Sequence, residues 1–212
     1  MVRECNTTEG LRRRRRCATA TRVNQKERTR SAILDAARAL VPAGGEVTMP
    51  MVAAAARVSE ATAYRYFPDL ASLLAEAVGQ LWPTATEAMR PVSHVDDPVA
   101  RVAHAVRTML NDVRDQQSAV RVMMAAAIVK PHGPSPRPAR RFALIDEALA
   151  PVKLTAANRR RIAQLKRDLA IVVSAEAYFN LTDLCGLAPD EAIASVVATA
   201  RTLTQAALPP GP

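Results

Sequence analysis

The spacing of helix-capping residues in the first third of the chain limits what this segment can fold into. Thr48, Ser59 and Asp69 are good N-cap residues, and they follow one another at intervals of 11 and 10 positions. A helix that begins at each cap has room for about two turns before the next cap. The segment therefore predicts two short helices joined by a tight turn before Ser59, followed by a further helix that begins after Asp69.

Helical periodicity extends over most of the remaining chain. Apolar residues recur at helical spacing, the alternation typical of strands is rare, and the 212 residues include only 7 glycines. The predicted fold class is therefore all-α, with a helix-turn-helix near the N-terminus and a larger helical bundle after it. The longer helices are predicted over residues 25–41, 98–116, 118–129, 140–149, 155–185 and 189–208.

Positive charge is concentrated at the N-terminal end. Of the formal net charge of +9, residues 1–30 contribute 10 − 3 = +7, because they contain ten bases and three acids. A basic end on a nearly neutral body is typical of a protein that contacts a polyanion from one side, and a solvated tail is the alternative. We predict a disordered basic arm over 1–24, a helix-turn-helix domain over 25–68, and a further helical domain over 69–212.

The second short helix carries an unusual density of polar side chains. Val58, Ala63 and Phe67 fit an inward face, which leaves hydroxyls, an arginine and two tyrosines for the outward face and its borders. Hydroxyls and arginines bind phosphates, and arginine also reads guanine, so this face is typical of a helix that enters the major groove. An ordinary helical hairpin whose tyrosines cover a core is the alternative. The predicted DNA-binding residues are Arg30, Thr48, Arg57, Ser59, Glu60, Ala61, Thr62, Tyr64, Arg65 and Tyr66.

Two runs in this region resemble the DNA-binding domain of the TetR family of bacterial transcriptional regulators. The runs are "TRSAILDAARALV" at 29–41 and "VAAAARVSEATAYRYFPDLASLL" at 52–74, and the second contains the Tyr-x-Tyr-Phe-Pro pattern at 64–68. The resemblance covers residues 29–82. It implies a homodimer that binds a palindromic operator on double-stranded DNA and is released by a small molecule.

The chain departs from the family pattern at several positions. Arg57 stands where the family usually has a turn glycine, so the turn must accept a side chain. Glu60 replaces a commoner lysine or glutamine, and it would repel phosphate but accept a hydrogen bond from cytosine N4. Leu70 occupies a position that is often a phosphate-binding lysine, so one backbone anchor is missing.

The resemblance also implies that the helical domain over 69–212 is a regulatory and dimerisation domain, whose last two long helices pair with those of a second subunit. Their apolar coverage is wider than a surface helix needs, which favours a partner, and packing within one chain is the alternative. The predicted dimer-interface residues are Leu169, Val172, Val173, Ile193, Val196, Val197, Ala200 and Leu203.

An apolar effector site is predicted in the C-terminal bundle. Methionines and aromatic residues adapt to apolar ligands, with a few polar groups as hydrogen-bonding partners, although methionines at helical spacing are more often plain core. The predicted ligand-binding residues are His104, Met109, Met123, Met124, Phe142, Glu176, Tyr178 and Asn180.

Several function classes find no support in the sequence. The three cysteines lack metal-ligand spacing, no apolar run reaches transmembrane length, and the N-terminus lacks the apolar segment of a signal peptide. Phosphate-cradling glycine loops and the motifs of serine hydrolases and zinc proteases do not occur. We therefore predict a cytoplasmic, non-enzymatic protein without a cofactor or metal site.

The predicted function is a ligand-responsive, homodimeric transcriptional regulator, with repression favoured over activation. It would bind its operator through the helix-turn-helix and leave it when an unidentified small, hydrophobic molecule binds the C-terminal bundle. The alternative is a DNA-binding or interaction module without small-molecule control, in which the basic arm binds nucleic acid without sequence preference.

Overall fold

The computed structural model describes residues 24–41, 46–129 and 140–208. These residues form α-helices joined by short turns, and no strand occurs among them, which confirms the all-α fold class. The predicted basic arm lies, except for its last residue, outside the described residues. The helices are α1 (24–40), α2 (Met49–Ala55), α3 (Glu60–Tyr66), α4 (Leu70–Gly79), α5 (Ala85–Met89), α6 (Pro98–Asp115), α7 (Gln117–Val129), α8 (Arg140–Ala148), α9 (Arg159–Val172), α10 (Ala175–Phe179) and α11 (Pro189–Ala207).

All three predicted caps are formed. The Thr48 hydroxyl accepts from the amide of Met51 at 3.4 Å, and the Ser59 hydroxyl accepts from the amide of Thr62 at 3.2 Å. The carboxylate of Asp69 accepts from a first-turn amide of α4 at 2.7 Å. Each cap satisfies a backbone donor that has no partner inside its helix, so the caps define where α2, α3 and α4 begin.

Helices α1 to α4 surround a first hydrophobic cluster, called here the N-terminal cluster. Its members come from every one of these helices, and Ala119 of α7 completes it. The side chains of α4 belong to this cluster, so hydrophobic packing divides the chain after α4 and not at residue 68. The buried members are Ile33, Leu34, Ala36, Ala37, Val41, Val47, Met49, Val52, Ala53, Ala63, Phe67, Leu73, Leu74, Ala77, Val78 and Ala119.

The later helices, α5 to α11, form a helical body around a second hydrophobic cluster, called here the body cluster. Helix α11 packs against α6 and α9, and α8 packs against α5, α6 and α9. Trp82 and Met123 contact both clusters, and α4 packs against α7, so the two regions share apolar surface. Within the described residues, no helix is long and apolar enough to span a membrane.

The single helix predicted over 155–185 is interrupted. Helix α9 ends at Val172, and the chain turns at Val173, whose ψ is 69°. The hydroxyl of Ser174 then accepts from the amide of Ala177 at 3.0 Å and donates to the carbonyl of Ile171 at 2.8 Å. A serine that caps a new helix in this way ends the preceding one. Helix α10 and a π-helical turn, Asn180–Leu184, complete the segment.

Most of the residues predicted at a dimer interface are covered by helices of the same chain. The apolar stripe of α11 faces α6 and α9, so packing within one chain accounts for the wide apolar coverage. A dimer interface at these residues stays a prediction. Leu169, Val173, Ile193, Val196, Val197 and Ala200 are buried, whereas Val172 and Leu203 are partly buried against the same cluster.

A buried arginine holds several elements of the body together. Arg101 of α6 is only 5% exposed, and its guanidinium meets carbonyl oxygens instead of a carboxylate. It donates to the oxygens of Glu147 at 2.7 Å and Ala148 at 3.2 Å, at the C-terminal end of α8. It also donates to the oxygen of Val92 at 2.7 Å. A cation beside helix C-terminal carbonyls satisfies their lone pairs and the helix dipole together.

Candidate nucleic-acid interface

Helix α3 is anchored by a small apolar face. Ala63 and Phe67 are buried in the N-terminal cluster, and Val58 packs against it while partly buried, as the sequence predicted for the inward side. Helix α2 packs directly against α3, which gives the pair the geometry of a helix-turn-helix. The remaining faces of α3 are therefore held in a fixed orientation toward solvent.

The outward side of α3 presents most of the predicted DNA-binding side chains. Glu60, Ala61 and Arg65 are exposed, and Tyr64 is 46% exposed. Positions 61, 64 and 65 fall on one side of a helix, because residues three and four apart are neighbours. These side chains form one polar surface at the edge of the molecule, of the size and composition that a helix in the major groove requires.

Two further predicted residues lie at the border of this surface. Thr62 is partly buried, and its hydroxyl is 2.9 Å from that of Ser59, which is itself exposed. Tyr66 is also partly buried, and the guanidinium of Arg65 lies over its ring at 5.6 Å from the centroid. Tyr66 therefore supports Arg65 from the side, and the Ser59 hydroxyl is shared between its cap and Thr62.

Arg57 occupies the turn between α2 and α3 in a left-handed conformation. Its φ is 56°, and among the described residues it is the one non-glycine with a positive φ. The turn thus keeps the backbone that a glycine would adopt, at a cost of roughly 1–2 kcal/mol for a residue with a Cβ. The side chain of Arg57 is exposed beside α3, which leaves its charge free to approach a phosphate.

Arg30, which was predicted to contact DNA, forms an ion pair with a residue of α4. Its guanidinium makes two parallel contacts of 2.5 Å with the carboxylate of Glu76 on α4, and it lies 4.8 Å from the ring centroid of Phe67. The hydrogen bonds to Glu76 raise the pKa of Arg30 above its ordinary value. This geometry lets Arg30 position α1 and α4 beside the end of α3. Its side chain is still 41% exposed, and its contact with DNA stays a prediction.

Glu76 is the functional residue that sequence reasoning missed. It lies 46 positions from Arg30, on a helix predicted only from its apolar stripe, so no local pattern connects the two. Thr48 is another of the predicted DNA-binding residues. Its hydroxyl caps α2, and the residue is only partly exposed.

The predicted ligand-binding residues do not form a single site. Phe142 is 57% exposed and Asn180 is exposed, since both fall on outward helix faces, and this corrects their assignment to an apolar cavity. Glu176 pairs with Arg141 at 3.0 Å, and the ring of His104 is 2.9 Å from the carbonyl oxygen of Ala88. Tyr178 is buried, and Met109, Met123 and Met124 are partly buried against the body cluster.

Comparison with known proteins bears on the same segment. Residues 33–77 match the family model described as "Bacterial regulatory proteins, tetR family". The matched segment runs from α1 to α4, and it contains both helices of the helix-turn-helix and the Arg57 turn. No curated protein and no solved structure matches the chain significantly.

Proposed function

We propose that this member of the TetR family, a DNA-binding transcriptional regulator, acts as a homodimeric repressor that a small molecule releases from its operator. The observation that carries the proposal is the polar outer face of α3, held outward by the burial of Ala63 and Phe67. This face keeps Glu60, Tyr64 and Arg65 exposed, so they are available to another molecule. It suits the edges of bases and the phosphates that flank them.

The side chains on this face divide between two tasks. Arg65 is the residue suited to a guanine edge or a phosphate, and Tyr64 offers a hydroxyl at the end of an exposed ring. Arg57, at the turn, is suited to a phosphate beside the groove. Glu60 is the one acidic group on this face, and it favours cytosine over the other bases, so it contributes to sequence preference.

A dimer supplies the second reading helix that a palindromic operator needs. The outward side of α11 carries small side chains, Ala194, Ala198 and Ala206, which allow close approach of another helix. Ile171 is 73% exposed and Leu184 is 80% exposed on the neighbouring segment. These observations support a two-fold interface on the outward faces of α9 to α11, in place of the buried stripe that the sequence indicated.

The packing between α4 and α7 supports control by a ligand. Ala119 of α7 belongs to the N-terminal cluster, while Met123 of the same helix contacts both clusters. A ligand that favours a different packing of the body would move α7 and α4 together. In a dimer this movement changes the separation of the two α3 helices from the roughly 34–36 Å of one DNA turn, and operator affinity falls.

Selection of bound genomic fragments by the full chain tests this proposal. We expect one palindromic site to be enriched, bound by two protomers, and preferred over random DNA by at least about a thousandfold at physiological salt. Binding that depends on salt alone, without preference among fragments, would contradict the proposal and favour the module that acts through its basic arm.

A further inference from the structure

Beyond the N-terminal 30 residues, positive charge is concentrated in one further segment, residues 148–167. This segment contains six bases and no acid, so it carries +6, whereas residues 69–212 as a whole carry 16 − 14 = +2. The rest of that region is therefore net negative, at 2 − 6 = −4. A charge separation of this size gives one part of the body a positive potential that attracts anions. The six bases are Lys153, Arg159, Arg160, Arg161, Lys166 and Arg167.

Four of these bases keep their charge available to another molecule. Lys153 and the arginines at 159–161 are exposed. Among the described residues, no ion pair or hydrogen bond joins their cationic groups to another side chain or to a carbonyl. The two other bases are engaged, because Lys166 pairs with Asp146 and Arg167 donates to the side-chain oxygen of Gln164.

The loop that carries Lys153 is held firmly against the start of α9. The side chain of Asn158 donates to the carbonyl of Lys153 at 2.9 Å and accepts from the amide of Thr155 at 2.8 Å. The Thr155 hydroxyl in turn accepts from the amide of Asn158 at 3.3 Å. These bonds fix the backbone of 153–158, so the four bases share one ordered surface before any partner binds. Such preorganisation lowers the entropy that binding costs.

An exposed apolar side chain lies within the same loop. Leu154 is 62% exposed, and residues 155–157 after it are exposed as well, so the loop protrudes from the body. A single exposed leucine is ordinary by itself, but here it lies among bases that have no partner within the described residues. A partner that covers this loop would therefore gain from both charge and apolar contact. We call Lys153, Leu154 and the arginines at 159–161 the basic surface.

The arrangement of the basic surface limits the kind of partner. Successive helical residues point about 100° apart, so the three arginines spread over roughly 200° and do not converge on one small anion. A DNA duplex would meet the arginines but would gain nothing from Leu154, and a bilayer needs more apolar area than one leucine offers. An acidic protein segment supplies carboxylates, which the planar guanidinium binds with paired hydrogen bonds, together with an apolar side chain.

The basic surface lies at the end of the body that is remote from the DNA-binding domain. The chain leaves α8 beside the first turn of α6, where Arg101 binds the carbonyls of Glu147 and Ala148. Helix α7, which packs against α4, begins beyond the other end of α6. Since α6 has 18 residues, its two ends are about 27 Å apart. Occupation of the basic surface therefore leaves α3 accessible to DNA.

We propose that the basic surface binds an acidic segment of another protein, in which carboxylates flank an apolar residue. The arginines and Lys153 bind the carboxylates, and Leu154 packs against the apolar side chain. A regulator with such a surface holds a second protein while its α3 helices remain on DNA. The inference goes beyond the proposed function and does not rest on it, because the surface and its partner are independent of the operator.

The test measures binding of a fluorescent peptide by the full chain at physiological salt. In this peptide, glutamates and aspartates flank two leucines, and an analogue has serines in place of the leucines. We expect a saturable rise in fluorescence anisotropy, with the leucine peptide bound at least about threefold more tightly than the analogue, because Leu154 gains an apolar contact. Absence of saturable binding of the leucine peptide would overturn the proposal.

A matched pair of variants assigns the charges. The surface variant, R159Q/R160Q/R161Q, should weaken binding of the leucine peptide at least about tenfold. The arm variant, R12Q/R13Q/R14Q, removes the same charge from the longer arginine run and should stay within about threefold of the parent. Equal losses in the two variants, or a larger loss in the arm variant, would overturn the proposal, since the peptide would then bind wherever the chain is basic.

Leu154→Ser tests the apolar contact without a change of charge. This variant should bind the leucine peptide and the serine analogue equally, while its affinity for the analogue stays that of the parent. A preference for leucine that survives in Leu154→Ser would contradict the assignment. Because Leu154 is exposed, this variant also keeps the proposal falsifiable if the surface variant does not fold.

The same variants distinguish other occupants of the basic surface. Vesicles that contain phosphatidylglycerol and a random duplex are tested beside the peptide. A surface variant that loses vesicle or duplex binding but retains peptide binding would assign the surface to lipid or DNA and overturn the proposal. A lower mass of the surface variant than of the parent in sedimentation equilibrium would assign it to a second copy of this chain, with the same consequence.

Operator binding, measured separately, keeps the two proposals distinct. The surface variant should bind the operator like the parent, because the basic surface is remote from α3. A chain that binds its operator but not the acidic peptide loses only this inference. A chain that binds the peptide as expected but prefers no DNA fragment keeps the basic surface and loses the proposed function.

Discussion

The N-terminal domain and the helical body use their polar side chains in opposite ways. In the N-terminal domain, Ser59, Tyr64 and Arg65 lie on the surface of a helix whose interior contacts are entirely apolar. In the body, Arg101 is buried among carbonyl oxygens, and the Asp112–Arg140 pair is largely shielded from solvent. The first arrangement leaves polar groups free for another molecule, whereas the second uses them to hold helices together.

Because of this difference, substitutions in the two regions should affect different properties of the protein, namely DNA affinity and the free energy of unfolding. Changes on the outer face of α3 should alter DNA affinity with little effect on the free energy of unfolding, because exposed side chains rarely contribute more than about 0.5 kcal/mol. Changes at buried polar groups of the body should lower the free energy of unfolding, because their partners lose hydrogen bonds away from water.

The largest effect on stability is expected for Arg101→Met. The substitution leaves the buried carbonyls of Val92, Glu147 and Ala148 without their donor, and we expect the free energy of unfolding to fall by about 3 kcal/mol or more. Urea denaturation followed by circular dichroism measures this change. Arg107→Met on the exposed side of the same helix is the control and should stay within about 0.5 kcal/mol of the parent. If the two variants had similar urea midpoints, the buried arginine would stabilise the body no more than an exposed one, and the contrast between the two regions would be wrong.

The Arg30–Glu76 pair sharpens the comparison, because it is a polar contact in the N-terminal domain that we assign to positioning. Arg30→Glu should weaken operator binding about tenfold, since α1 and α4 lose their fixed relation to α3. The charge exchange Arg30→Glu with Glu76→Arg restores the pair and should return affinity to within about threefold of the parent. Gel-shift titration measures both. A double variant as weak as Arg30→Glu would show that Arg30 contacts DNA directly.

The smallest expected effect concerns the turn at Arg57. Arg57→Gly relieves the left-handed strain and should raise the free energy of unfolding by about 0.5–1 kcal/mol, after the entropy that glycine gains in the unfolded chain is subtracted. Arg57→Ala keeps the strain and should not be stabilised. Both variants lose the same charge, so both should reduce the salt dependence of operator binding by about one ion if Arg57 touches a phosphate. A glycine variant less stable than the alanine variant would refute the account of the turn.

The elements around the recognition helix were predictable because their signals are local. Each cap acts on an amide three residues away, and the periodicity of α3 identifies Ala63 and Phe67 as inward without knowledge of the rest of the chain. The bounds of α6, α7, α8 and α11 follow from prolines and apolar stripes in the same way, and they agree with the structure to within one residue.

The assignments in the body could not be derived from the sequence, because they depend on which helix covers which face. An apolar stripe shows that Val196 or Ala200 is covered, but not whether α6 or a second subunit covers it. The break at Ser174 depends on the turn at Val173, which no residue type demands. Arg101 did carry a signal, since an arginine one position before Val102 interrupts the apolar stripe of α6.

The measurement that tests the central claim most directly compares operator affinity and stability in one triple variant. Thr62→Ala, Tyr64→Ala and Arg65→Ala together should weaken binding by at least about a hundredfold, while the free energy of unfolding changes by about 1 kcal/mol or less. The control, Arg107→Ala with Arg161→Ala, removes two exposed charges from the body and should bind like the parent. If the triple variant instead held the operator as tightly as the parent, α3 would not be the helix that reads DNA.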